Sequence, residues 1–141
     1  MMWLIMGMSA SYVRSTIRSW AQMISGALNV QFYDTVNLEQ DPQDATWWTV
    51  RFIAENMTGT TFCGPGYLET GAIEVMVCAQ PGIGDDPAVS DLEAIIREFY
   101  KMVDPTQRLV LAEFDPVLED SLGSATRYYR VGAFITYKLS L

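Results

Sequence analysis

The chain has 141 residues, half of them hydrophobic, with four Trp and seven Tyr but no His. This length suits one domain built on one core and leaves too little material for a second. Seventeen acidic against nine basic side chains give a formal net charge of −8, which opposes retention of nucleic acid or anionic lipid and argues against a DNA reader.

The first segment, Met1 to Met8, is apolar at nearly every position. No basic stretch precedes it, and it is far shorter than the about 20 residues a helix needs to cross a bilayer. Signal-peptide and membrane-anchor readings are therefore set aside. Two destinations stay open for the segment: the chain's own core and a neighbouring subunit. Val13, Ile17, Trp20, Ala21, Ile24 and Leu28 follow the three-and-four spacing of an amphipathic helix over residues 12–28, with Arg14 and Arg18 on another face. Gly26 and Asn29 are its expected terminators. Residues 31–46 have no period and read as a loop, with a short extended piece near Val30 to Tyr33.

From Trp47 to Glu55 the period changes to two, with Trp48, Val50, Phe52 and Ala54 on one face and Trp47, Thr49, Arg51, Ile53 and Glu55 on the other. Met57 to Thr61 supplies a turn. A second alternation sets Ile73, Val75, Val77 and Ala79 against Glu74, Met76 and Cys78. The two strands predict a long antiparallel hairpin, bulged around Cys63 to Gly66. A loop from Gln80 to Pro87 leads to an amphipathic helix over residues 88–103, with Leu92, Ile95, Ile96, Phe99, Tyr100 and Val103 as its buried stripe. Asp104 before Pro105 ends it, because a residue preceding Pro disfavours helical geometry. Two strands close the chain, Arg108 to Phe114 and Arg127 to Leu139, the latter alternating strictly. The order helix, two strands, helix, two strands predicts an α+β fold: an antiparallel sheet of four to five strands packed against two helices as a single domain over residues 1–141.

Chemistry-bearing patterns are sparse. Gly82-Ile83-Gly84 lacks the third Gly of a dinucleotide loop and the Lys of a phosphate loop, and Asp85 and Asp86 would repel a phosphate. The acid pairs Asp85/Asp86, Glu113/Asp115 and Glu119/Asp120 are adjacent in sequence, but two-carboxylate hydrolysis needs them across a cleft. Glu113 and Asp115, on one strand face, read as solvated surface, and Asp85 and Asp86 as helix-capping acids of a loop. Without His no conventional nucleophile triad forms. Cys63 and Cys78 read as reduced thiols that cross-strand proximity would allow to pair, and no metal or cofactor set is expected. Aromatics off the expected core faces carry more weight. Trp47, Phe62, Tyr67, Tyr128 and Phe134 are candidate protein-interface residues, since aromatic anchors are typical of interfaces.

The run Trp48 to Ile53, the run Leu68 to Val77, the Pro81-Gly82-x-Gly84 loop before an amphipathic helix and the closing Tyr129-Arg130-Val131 strand resemble the tail terminator proteins of long-tailed bacteriophages, over about residues 10 to 139. The resemblance implies a non-enzymatic virion component of the tail and neck region, made in the host cytoplasm. It implies a homo-oligomer, a hexameric ring that caps the tail tube, ends tube polymerisation and meets the head-tail connector protein. DNA would cross the lumen without specific binding, and no membrane or cofactor is implied. The five aromatics and the apolar start would then lie at subunit or tube contacts, with the hairpin tip from Asn56 to Gly66 reaching a neighbour. The apolar start departs from that family's pattern. Alternatives are another phage neck or tail protein (tail tube or head completion), a small α+β enzyme or ligand-binding module, and a secreted or membrane-associated factor.

Overall fold

Met, Leu and Ala are strong helix formers, and no Pro interrupts the chain before residue 42. The first helix accordingly begins well before Tyr12. In the structure, a computed structural model, α1 runs from Met2 to Leu28, each residue upstream of Tyr12 adding a hydrogen bond without a new nucleus. The structure describes residues 2–34, 46–59, 67–79, 86–120 and 129–140, with side chains at 11–34, 46–53, 69–79, 87–114 and 130–140. Val13, Ile17, Ala21 and Ile24 are fully buried, as their spacing requires. Gly26 lies inside the helix. Asn29 ends it instead, with φ 56° in the left-handed region that an Asn side chain tolerates.

Ser25 locks the reversal that follows. Its Oγ donates to the Val30 carbonyl at 2.9 Å and accepts from the Phe32 amide at 3.2 Å. Ser25→Ala is expected to cost about 1 kcal/mol, read as a lowered urea midpoint at unchanged slope; an unmoved midpoint would mean that water replaces both bonds. The chain then enters β1 (Gln31–Phe32). On the other side of α1, Arg14 and Arg18 lie over the Phe52 ring at 4.7 and 5.8 Å, and Arg18 also pairs with Asp34 at 2.8 Å.

Four longer strands follow: β2 (Trp47–Gly59), β3 (Tyr67–Ala79), β4 (Leu109–Asp120) and β5 (Tyr129–Ser140), with α2 (Asp86–Lys101) between β3 and β4. The sheet order is β1-β2-β3-β5-β4. The α+β architecture and the helix-strand-strand-helix-strand-strand order are as expected, with β1 added as a parallel partner of β2 and every other pair antiparallel. Two expectations for the hairpin change. Met57 to Gly59 belongs to β2 and not to a turn, because β3 begins at Tyr67 and pairs it with Gly59. Within the described residues the bulge falls between Phe52 and Ala54; Cys63 to Gly66 lies outside them, as do the Gln80 to Asp85 part of the next loop and the Tyr128 end of the last strand as expected.

Both helices cover one face of the sheet. Ile73, Val75, Val77 and Ala79 of β3 and Ala133, Ile135, Tyr137 and Leu139 of β5 are fully buried. They meet Ile95 and Phe99 of α2 and the α1 stripe in one cluster. Trp48 stands at its centre, its ring edge-on to Phe99 at 5.9 Å and its Nε1 donating to the Val30 carbonyl at 3.0 Å.

At the opposite end of the sheet a single carboxylate ties three elements together. Asp104 is 2% exposed. Its Oδ1 accepts from the Tyr12 hydroxyl at 2.6 Å and the Thr106 amide at 3.1 Å. Its Oδ2 accepts from the Thr106 hydroxyl and from the Arg108 and Leu109 amides, at 2.9, 3.2 and 3.0 Å. Burial pushes the carboxyl upward, but the bonds from Tyr12, Leu109 and Thr106 outweigh it and hold the pKa at about 2.

A candidate docking seam between helix α2 and the edge strand β4

The buried stripe of α2 is shorter than its spacing implies. The helix stops at Lys101, so Val103 leaves the stripe and is 75% exposed, and Tyr100 stands on the helix shoulder at 40%. Both had been expected in the core. They border β4, the outermost strand, since α2 packs over β3 and β5.

A bulge on β4 sets the other wall. Leu111 pairs with Tyr137, but Phe114, three residues on, pairs with Ile135, two residues back. One extra residue is absorbed, and Phe114 takes the same sheet face as buried Ile135. The Glu113 amide in the bulge donates to the Thr136 hydroxyl at 3.0 Å, and that hydroxyl donates to the Glu113 carbonyl at 3.2 Å. Phe114 thus faces the helix layer at a point where α2 does not reach, and it remains 51% exposed. The Tyr100 ring approaches it at 6.3 Å, and the Tyr100 hydroxyl donates to the Ala112 carbonyl at 3.0 Å. Burial, and secondarily the Glu113 charge, holds that phenol above its ordinary pKa, so it stays a neutral donor.

The result is an apolar groove of about 600 Å³ walled by Val89, Leu92, Ile96 and Tyr100 on one side and Phe114, Val131 and Ala133 on the other, with Glu93 and Arg97 on its rim. A second hollow of about 460 Å³ joins it through Tyr100 and extends past Val103 and Val110 toward Asp104. Of the six large hydrophobic side chains exposed among the described residues, Tyr100, Val103, Val110 and Phe114 border this seam, and only Met23 and Ile53 lie elsewhere. Such concentration marks an interaction surface, whereas single exposed apolar residues do not.

The aromatics expected at interfaces are not brought together. Trp47 is 4% exposed on the sheet face away from the helices, packed with Cys78 and Met76, with Tyr33 edge-on at 5.7 Å. It therefore offers little surface. Phe134 lies on that same face, half-buried, paired with Glu74 and Asp115. Tyr67 opens β3, but its side chain, and Phe62 and Tyr128 entirely, lie outside the described residues.

No family model matches the chain, and no curated protein matches it in sequence.

Besides Asp104, two acidic side chains are buried in the sheet among the described residues. Glu74, 7% exposed, meets Arg51 of the adjacent strand at 3.1 Å. Glu69, 3% exposed, accepts a long 3.4 Å bond from the Tyr137 hydroxyl. Glu113 is exposed, while the side chains of Asp85, Asp86, Asp115, Glu119 and Asp120 lie outside the described residues. Among the described residues no three of His, Cys, Asp and Glu gather as metal ligands, and no helix is long and apolar enough to cross a membrane. Cys78 is buried; Cys63 lies outside the described residues, so the cross-strand pairing considered from sequence does too.

Proposed function

We propose that the chain is a structural virion protein of a long-tailed bacteriophage, a tail terminator whose ring caps the tail tube, ends tube polymerisation and joins the tail to the head-tail connector. The observation that carries this reading is the element order around a single mixed sheet, which is the order the resemblance implies. The docking seam supports it as well. A ring-forming protein needs an apolar surface left over after its own core is built, and Tyr100, Val103, Val110 and Phe114 provide one. The net charge of −8 suits a ring that DNA crosses without being held. The reading places the protein in the tail and neck of the particle after synthesis in the host cytoplasm, with the tube protein and the connector as partners.

Purified tail tubes incubated with the protein and viewed by negative-stain electron microscopy test the reading. Caps at one end only, with tube growth arrested at that end, are expected. Binding along the whole tube would favour a tube subunit, and connector binding without tube binding a head-completion protein. The groove volume of about 600 Å³ falls in the range of small-molecule sites. Indifference to tubes and connectors together with saturable binding of an apolar small molecule would therefore favour a ligand-binding module.

A further inference from the structure

We propose that the groove-facing shoulder of α2 pairs two copies of the chain about a two-fold axis, with the two α2 helices antiparallel. The pairing belongs to the free protein and stands independently of the tail reading above.

The shoulder is the row Val89, Glu93, Arg97 and Tyr100, which follows the three-and-four spacing of one helix face and lines the groove. Glu93, Arg97 and Tyr100 are exposed and Val89 is half-buried, whereas Ala88, Leu92, Ile95 and Phe99 face the core. The order along the row is apolar, acid, base, apolar. Glu93 and Arg97 flank residue 95 symmetrically, and Val89 and Tyr100 do so to within one position. A half-turn about that point exchanges the members of each pair. Glu93 of one copy then meets Arg97 of the other, twice over, while Tyr100 of each copy comes down at the Val89 end of the other's groove. An isologous contact demands this self-complementarity, in which residue i meets j and j meets i.

Charge selects the same arrangement. Two copies each carrying −8 repel across most orientations, so a specific contact must oppose unlike charges where the surfaces come closest. Glu93 and Arg97 are the charged side chains of the groove lining, and Asp91 and Glu98 lie on the far side of the helix at about 100° per residue. Among the described residues neither Glu93 nor Arg97 has an ion pair or hydrogen bond, although Lys101 of the same helix is paired with Glu98 at 3.0 Å. Four positions apart on an exposed face, the two could offer each other only the weak link of surface neighbours. Across the axis they form two pairs at the border of an apolar contact.

The apolar part is supplied by the hollows of about 600 and 460 Å³ that meet at Tyr100. A two-fold contact covers the seam of both copies in one step and leaves no open end. The row from Val89 to Tyr100 is about 17 Å long, which puts the interface at the small end of specific ones and makes the pair a transient one.

The test uses the full chain with Glu93→Arg, Arg97→Glu and the double exchange, masses being read by sedimentation over a range of concentrations and folding by circular dichroism. Both positions are exposed, so the fold is expected to be kept. The unmodified chain should pass from monomer to dimer as concentration rises and grow no further. Each single exchange sets two like pairs across the axis and should raise the dissociation constant on the order of tenfold or more. Mixed in equal amounts, the two single variants should pair with each other, since one offers two bases and the other two acids. The double exchange should restore the parental dimer. A parent that stays monomeric at its highest soluble concentration, single variants of parental mass, single variants that do not pair when mixed, or a double exchange that stays monomeric overturns the pairing. Growth of the parent into a larger closed ring overturns it in favour of head-to-tail contacts, and a monomeric parent that takes up an apolar fluorescent dye assigns the groove to a small molecule instead.

Discussion

Replacing Trp48 by Ala is expected to destabilise the protein by roughly 3–5 kcal/mol, enough to unfold much of the population at room temperature for a domain of ordinary stability. The ring is fully buried, tilted on Phe32 with centroids 4.7 Å apart and edge-on to Phe99 at 5.9 Å. It joins the reversal after α1 to α2 through the body of the core. Truncation would leave a cavity among side chains fixed by three different elements, so collapse to fill it is restricted. The lost Nε1 bond adds less, because the Val30 carbonyl keeps its bond from Ser25. Trp48→Phe should therefore recover most of the loss, leaving about 1–2 kcal/mol. Urea unfolding of both variants measures this, and equal losses for Ala and Phe would shift the cause from packing to the indole bond.

Asp104→Asn is expected to cost about 3 kcal/mol at neutral pH. The amide keeps one acceptor oxygen but turns two donors toward a pocket whose Tyr12, Thr106, Arg108 and Leu109 groups already donate. The same site predicts a pH dependence. The folded carboxyl titrates at about 2, below the about 3.9 of an unfolded Asp. Its contribution is thus fully present above pH of about 4 and disappears as pH falls from there toward 2, amounting to roughly 2 kcal/mol over that window. Other carboxylates titrate in the same range, so the informative quantity is the difference between parent and Asp104→Asn in urea stability at successive pH values. That difference should shrink toward acid; a gap that is constant from pH 7 to 2 would assign the effect to shape and not to charge.

What was legible in the sequence is what depends on one repeating contrast between wet and dry. The β3 alternation, the β5 alternation from Val131 and the α1 stripe from Val13 to Ile24 are buried as written because each element has one covered face there, Leu28 at the helix end being only partly covered. Departures occur where a distant partner or an extra residue intervenes. Asp104 reads as a helix stop before Pro105, and nothing local announces that the Tyr12 hydroxyl, 92 positions away, completes its shell. Trp47 reads as an interface aromatic because it alternates away from the core, yet Tyr33 and Met76 pack against it. Phe114 follows Leu109 and Leu111 at an odd interval, so simple alternation turns it outward until the bulge restores it to the helix face. Val103 fits a helical period that ends before it at Lys101, and Tyr100, still helical, stands at the margin of the buried stripe. The seam was therefore hidden in part: Val103 and Phe114 sit where a period breaks.

The same broken period bears on the edge of the sheet as a site for fibrous aggregation. Among the described residues β4 ends the sheet with an unpaired side, the feature by which sheets recruit further strands without limit. Its ladder slips between Leu111 and Phe114 and again between Val117 and Asp120, with Pro116 between the two slips removing an amide donor. An approaching strand would find no uninterrupted stretch long enough to lock into register. An edge so irregular disfavours the open-ended strand addition from which fibres grow.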